Sequence, residues 1–156
     1  MRLLLGMLTL CLFCINYLAA SEVQAAKVMT LEGKGTVVKE KGMERIHVSG
    51  TVKGYINGTF VWEETHAGAS GAGNASERGE ITITGEDGYT LILKFTGKAS
   101  MQNVSGGATE SATGSFSYLD GTGPWRGRLP SGTYTKAGVF KGDAVELSMT
   151  LTVESE

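Results

Sequence analysis

The sequence predicts an all-β domain, an eight-stranded antiparallel barrel, with a two-layer β-sandwich as the alternative. Apolar and polar residues alternate with a period of two almost throughout residues 27–156, and no convincing stretch there has a helical period. Glycines and turn dipeptides divide this alternation into eight segments. Glycines also lie inside the predicted strands, where strong coiling needs positions without a Cβ, and this favours the barrel. These glycines are Gly50, Gly97, Gly114 and Gly132.

The first 26 residues have the order of a signal peptide. Arg2 is followed by an apolar run over residues 3–18 and then by small residues up to Ala26. The run is shorter than the roughly 20 residues that a membrane span needs, so a retained anchor is the less favoured alternative. We therefore expect cleavage near Ala26, no stable membrane span afterwards, and a secreted or periplasmic protein.

Residues 27–156 are predicted to form a single domain, because roughly 130 residues is the usual size of one domain. Both cysteines, Cys11 and Cys14, lie in the predicted signal peptide, so the remaining chain can form neither a disulfide nor a thiolate site. The formal net charge is −2 and the charges are scattered. No nucleic-acid partner is expected from this distribution.

The strands are assigned from the alternation and from the turn signals between them. The clearest is the C-terminal run, in which Val145 to Val153 alternate with Glu146 to Glu154. Asp87-Gly88 is the strongest hairpin signal, and Lys41-Gly42, Lys141-Gly142 and Asn57-Gly58 are weaker ones. The longest loop is expected over 67–76. The predicted strands are 28–38, 44–53, 55–66, 78–85, 89–99, 109–119, 126–136 and 143–154.

One stretch carries a family resemblance. Gly121-Thr122-Gly123-Pro124-Trp125-Arg126-Gly127, followed by Ser131-Gly132-Thr133-Tyr134, resembles the glycine-, threonine- and aromatic-rich signature of the allene oxide cyclase and dirigent barrel-like proteins, which have bacterial members. The resemblance implies an eight-stranded barrel with a central cavity. It also implies that the cavity binds apolar molecules or directs a cyclisation, without metal or nucleotide. It carries no catalytic residue over to this chain.

One polar group is a candidate catalytic site. If Phe60 and Trp62 face inward, Glu64 and His66 follow on the same face of the strand. A carboxylate and an imidazole at a barrel end could transfer protons, and Tyr118 and Tyr134 could donate hydrogen bonds from other strands. The alternative interpretation is an ordinary solvated strand end, since buried charges are costly.

Metal and cofactor chemistry are not predicted. His47 and His66 are the only histidines, and their spacing does not indicate a zinc site. The glycine-rich stretch 121–127 lacks the Gly-Lys-Ser/Thr of a phosphate loop, and no helix is predicted after it. No metal ligand and no cofactor are therefore assigned.

The function expected first is the binding of a small apolar molecule in the barrel lumen. The residues expected to bind it are Phe60, Trp62, Leu93, Phe95, Phe116, Leu147 and Met149. A cofactor-independent cyclase or isomerase is one alternative. A structural or interaction module, including one that assembles into homo-oligomers, is the other. A barrel of eight strands can be filled by its own side chains or can hold one small ligand, so the sequence leaves these alternatives open.

Overall fold

The computed structural model describes residues 27–40, 43–67 and 73–155, and their eight strands form a closed antiparallel barrel in chain order. The predicted fold class is confirmed, and the sandwich is excluded because the first strand pairs with both the second and the last. The predicted signal peptide lies outside the described residues. The strands are β1 (Lys27–Glu40), β2 (Met43–Gly54), β3 (Gly58–Ala67), β4 (Gly73–Gly85), β5 (Thr90–Val104), β6 (Gly107–Gly121), β7 (Ser131–Lys141) and β8 (Ala144–Ser155).

The barrel has two ends that differ in their connections. We call the end where β3 finishes at Ala67 the upper end, and the opposite one the lower end. At the lower end Asp87 and Gly88 form the predicted hairpin turn between β4 and β5. Gly88 has a φ of 81°, and the Asp87 carboxylate accepts a hydrogen bond from the backbone N–H of Tyr89 at 3.0 Å. The turn therefore needs the conformational freedom of glycine and the acceptor of aspartate.

Several predicted boundaries are wrong. Strand β3 begins at Gly58 rather than at residue 55, since residues 55–57 form the turn after β2. The predicted 67–76 loop is too long, because β4 already begins at Gly73. Strand β7 spans Ser131–Lys141 instead of 126–136, because a 3₁₀ turn at Gly123–Trp125 and Pro130, which has no N–H, come first.

The period of two puts one face of every strand into the lumen. The apolar side chains of this face form one cluster that extends from the lower to the upper end of the barrel. Four aromatic rings form a continuous chain across it, with centroid separations of 6.2, 5.8 and 5.5 Å. These rings belong to Phe60, Trp62, Phe95 and Tyr134. The upper part of the lumen is different, because it contains charged side chains.

The described residues contain no α-helix. Among them, no helix has the length and hydropathy needed to cross a membrane.

Candidate functional site

The candidate site begins with one row of directly paired residues that crosses six strands. His66 of β3 lies opposite Glu44 of β2 and opposite Glu77 of β4. Because paired residues point to the same face of a sheet, these three side chains all enter the lumen. The row continues through glycines on β5 and β6 to a tyrosine on β7. Its members are Glu44, His66, Glu77, Gly97, Gly114 and Tyr134.

The two glycines of this row make room for Tyr134. A Cβ on Gly97 would overlap the Tyr134 hydroxyl, and a Cβ on Gly114 would lie 2.6 Å from the edge of the same ring. The tyrosine ring therefore lies back across both glycines, and its hydroxyl donates a hydrogen bond to the Glu77 carboxylate. Glycines inside the strands thus shape the site as well as the coiling of the sheet.

Lys136 is the positive centre of the site. It follows Tyr134 by two residues on β7 and so points into the lumen too. Its ammonium group donates hydrogen bonds to Glu64 and Glu77, both at 2.5 Å, and lies 3.0 Å from a carboxylate oxygen of Glu110. All four of these side chains have an exposure of 0%. In the dry interior such contacts are much stronger than in water.

Glu64 and His66 form a close pair inside this group. The Nε2 atom of His66 lies 2.5 Å from Oε1 of Glu64, and the indole N–H of Trp62 donates to Oε2 of Glu64 at 2.9 Å. The two oxygens of Glu64 are thus held by different partners. The alternative interpretation of this pair as a solvated strand end is wrong, since the side chains of Glu64 and His66 are 0% and 2% exposed.

The environment shifts the pKa values of this pair. Burial raises the pKa of Glu64, although the charge of Lys136 and the hydrogen bond with His66 act against the rise. Burial by itself would lower the pKa of His66. The close contacts with the carboxylates of Glu110, Glu64 and Glu77 outweigh it and raise the pKa of His66 to about 11. The imidazole is therefore a cation at neutral pH.

The remaining groups are held in defined protonation states. Burial would raise the pKa of Glu77, but the hydrogen bond with His66 and the charge of Lys136 lower it well below its usual range. Burial and the bond to Glu77 raise the pKa of Tyr134. Burial alone would lower the pKa of Lys136, but the surrounding carboxylates raise it. Glu77 is thus an anion, Tyr134 a neutral donor and Lys136 a cation.

Some buried polar atoms of this network have no hydrogen-bond partner. Neither oxygen of Glu110 has a hydrogen-bond partner in a favourable geometry, and Nδ1 of His66 has none either. Buried polar atoms are normally paired, because leaving one unpaired costs about 1–3 kcal/mol. Glu64, His66, Glu77 and Glu110 also offer donor atoms within 4.8 Å of one another, a spacing at which side chains can hold a metal ion. In this structure the Lys136 ammonium contacts all three of these carboxylates, at 2.5, 2.5 and 3.0 Å.

The structure brings together three of the four predicted catalytic residues. Glu64, His66 and Tyr134 converge in the upper lumen. Tyr118 does not join them: it is half-buried near the lower end of β6, where its N–H bonds to the carbonyl of Pro130 at 2.9 Å. Eight residues of strand separate it from Glu110, which is about 26 Å. Tyr118 therefore has no contact with this site.

The seven residues predicted to bind a ligand all belong to the buried cluster, and each is at most 3% exposed. They pack against one another as a filled core. Two grooves of about 590 and 790 Å³ lie largely between outward-facing residues, and of the seven only Leu147 lines either of them. Those seven residues are Phe60, Trp62, Leu93, Phe95, Phe116, Leu147 and Met149.

Four charged members of the site were not identified from the sequence. The alternation along the strands indicated that three of them face inward. Glu110 lies an even number of residues from Phe116, as does Lys136 from Tyr134 and Glu44 from Ile46, so each shares a face with an inward-facing residue. Glu77 was missed because it fell between the predicted loop and the next predicted strand. Charged residues near strand ends are usually solvated, and this expectation hid the pattern.

The comparisons with known proteins name no family for this chain. No family model, no curated protein and no solved structure matches it. The resemblance to allene oxide cyclases and dirigent proteins therefore stays a prediction.

Proposed function

We propose that the protein is a cofactor-independent acid–base catalyst that cyclises or isomerises a small molecule in the upper lumen. One observation carries the proposal: Glu64, His66, Tyr134 and Lys136 meet in one dry site, with hydrogen bonds connecting the members. Isomerisation needs only that a proton leaves one atom of the substrate and returns to another. No oxidant, reductant or second substrate is consumed.

Glu64 is the proton-transfer group in this proposal. Burial raises its pKa above the usual carboxyl value, which is the direction that suits a group that must both take and return a proton. The carboxyl is oriented from two sides, by Trp62 at 2.9 Å and by His66 at 2.5 Å. A fixed orientation shortens the search for the reactive geometry and so favours the reaction.

Lys136 and Tyr134 would stabilise negative charge that develops on a substrate oxygen. Both are donors at neutral pH, because the pKa of each is raised. Donors that are already oriented in a water-free site stabilise such charge strongly. The same raised pKa argues against Lys136 as a nucleophile, since imine formation needs the free amine.

The surroundings of the site favour a substrate with a mainly apolar skeleton. Trp62 and Phe95 lie directly beneath the charged group, and the Lys136 ammonium is 5.5 Å from the Trp62 ring centroid. Because these rings belong to the filled core, an apolar molecule would reach them by displacing side chains of the upper lumen. Native mass spectrometry of the protein from its own host tests such binding, because a retained apolar molecule adds a discrete mass that is lost on denaturation.

The activity itself is tested by deuterium incorporation in D₂O. The purified protein is incubated with unsaturated epoxides and β,γ-unsaturated ketones on terpenoid and fatty-acyl skeletons, and the products are followed by mass spectrometry. We expect a rearranged product, which carries deuterium to the extent that the proton held by Glu64 exchanges with the solvent before it returns to the substrate. Glu64→Gln should lower the rate of product formation by about 10²–10⁴-fold, the usual contribution of a general acid or base.

The matched control is Glu63→Gln, one residue away on the outer face of the same strand. The Glu63 carboxylate is 66% exposed and contacts His47 instead of the lumen. Its substitution should leave the rate unchanged. Equal losses in the two variants, or no product from a folded wild-type protein across the panel, would contradict the proposal.

A further inference from the structure

Glu44 connects the buried network to the solvent. It is the first inward-facing residue of β2, at the upper end of the barrel, and it lies directly opposite His66. Its Oε2 atom is 3.9 Å from Nδ1 of His66, and its Oε1 atom is 3.7 Å from the ammonium group of Lys39. The Lys39 side chain is 65% exposed. Glu44 therefore has the buried imidazole on one side and a solvated cation on the other.

Exposure distinguishes Glu44 from the other charged members of the network. Its side chain is 10% exposed, whereas that of His66 is 2% exposed and those of Glu64, Glu77, Glu110 and Lys136 are 0% exposed. Any proton that enters or leaves the site must cross this boundary. Glu44 touches both sides of it, with His66 on the buried side and Lys39 on the solvated side. Glu110 also borders a surface groove, but its side chain is 0% exposed.

The atom of His66 that faces Glu44 is also the one left without a partner. Nε2 lies among Glu64, Glu77 and Glu110, at 2.5, 3.5 and 3.2 Å, so Nδ1 is the nitrogen that remains. The 3.9 Å gap to Glu44 is about 1 Å longer than a normal N–H···O hydrogen bond. Proton transfer between the two atoms therefore requires them to approach by about that distance.

We infer that Glu44 is a proton relay between His66 and the solvent. The Nδ1–H proton passes to Oε2 of Glu44, which leaves a neutral imidazole and a neutral carboxylic acid. The acid then releases the proton to water at the barrel end. In the reverse direction the same two steps return a proton to the imidazole, and Nε2 passes it on to Glu64. Glu44 acts through His66 and needs no contact with a substrate.

The role of the Glu44 relay in catalysis rests on the proposed function, but proton exchange between His66 and the solvent does not. The test is therefore a measurement without substrate, by NMR of the ¹⁵N-labelled protein. The exchange rate of the His66 ring Nδ1–H proton with water is compared between the wild type, Glu44→Gln and Glu40→Gln. Glu40 is the matched control, because it is also at the upper end but is 50% exposed and pairs with Arg45.

We expect Glu44→Gln to slow this exchange at least tenfold and Glu40→Gln to leave it within twofold of the wild type. A rate in Glu44→Gln within twofold of the wild type would overturn the inference. Backbone amide shifts report whether Glu44→Gln has kept the fold. If Glu44→Gln does not fold, Glu44→Asp takes its place, because it retains the charge but moves the carboxylate away from His66. Exchange of the His66 Nδ1–H proton should then be slower than in the wild type. An unchanged rate would overturn the inference as well.

The two proposals fail separately. Slow exchange in Glu44→Gln, together with no rearranged product from the wild type, would keep the relay and reject the catalyst. Normal exchange in Glu44→Gln, together with a product that depends on Glu64, would reject the relay and keep the catalyst.

Discussion

Two glutamate–histidine pairs lie on opposite faces of the barrel wall: the inner pair belongs to β3 alone, and the outer pair joins β2 to β3. In the inner pair, Nε2 of His66 is 2.5 Å from Oε1 of Glu64; in the outer pair, Nδ1 of His47 is 2.5 Å from Oε1 of Glu63. The inner side chains are 2% and 0% exposed, whereas the outer ones are 53% and 66% exposed. The nitrogen–oxygen distance is the same in both pairs, so the pairs differ in exposure and not in the length of the contact.

The environment makes the difference. Water and salt screen the outer pair, and exposed pairs of this kind contribute less than about 1 kcal/mol to stability. The inner pair is shielded from bulk solvent by its burial and is connected to Lys136, Glu77 and Glu110. Its charges therefore depend on the whole network, and removing one member leaves the others buried without compensation.

The largest effect is expected from Lys136→Met, which removes the cation between three carboxylates. The free energy of unfolding should fall by about 3–5 kcal/mol, the usual cost of breaking a buried ion pair from one side. Urea denaturation at pH 7 measures this change.

The control for Lys136→Met is Lys34→Met on the outer face of β1. Lys34 pairs with Glu146 at 2.9 Å, but the two side chains are 80% and 65% exposed. We expect no change in the urea midpoint. Similar shifts of the urea midpoint in the two variants would show that buried and exposed ion pairs contribute equally to the stability of this protein.

The second prediction concerns the pH dependence of stability. The pKa of His66 is raised from 6.5 to about 11 in the folded state, so the folded protein binds this proton more tightly than the unfolded chain. The stabilisation is complete below pH 6.5 and is lost as the pH rises from 6.5 towards 11. The slope reaches about 1.4 kcal/mol per pH unit where the two states differ by one proton.

Urea denaturation at intervals across this pH range measures the slope, and His66→Gln should remove it. His47→Gln should leave it in place. A slope that survives in His66→Gln would mean that another group titrates there.

The third prediction tests the hydrogen bond from Tyr134 to Glu77. Tyr134→Phe keeps the ring over Gly97 and Gly114 and deletes only the donor. A hydrogen bond to a charged group contributes about 1.5–3 kcal/mol, so the free energy of unfolding should fall by that amount. Tyr89→Phe is the control, because Tyr89 is 45% exposed at the lower end. An equal loss in both variants would contradict the assignment.

The smallest effect is expected for the outer pair itself. Glu63→Gln should change the free energy of unfolding by less than about 1 kcal/mol, and added salt should reduce the change further. Thermal denaturation at low and high ionic strength measures both. A change as large as that of Glu64→Gln would remove the distinction between the two pairs.

Most of the fold follows from local patterns in the sequence. The run from Val145 to Val153 and the Asp87-Gly88 turn are recognisable because each is decided by neighbouring residues. The start of β7 was misplaced, since residues 126–130 form a turn and an irregular segment that follow the 3₁₀ turn at Gly123–Trp125. Boundaries of this kind depend on contacts with the rest of the barrel.

The candidate site was only partly predictable for the same reason. Glu64 and His66 are neighbours on one strand, and their shared face can be inferred from Trp62. Lys136 and Glu77 are distant in the chain from Glu64 and from each other, and no local pattern pairs them. Lys136, for example, is 72 residues from the Glu64 carboxylate that it contacts.

The sequence by itself therefore determined which face of each strand turns inward, because side chains alternate along a strand whatever its partners are. Only the tertiary structure decided which inward side chains meet. The register between strands places Glu44, His66 and Glu77 in one row, and closure of the sheet brings Lys136 of β7 across the lumen to β3 and β4. Charges that look like solvated strand ends in the chain become a single buried network, since closure removes the water that would have surrounded them.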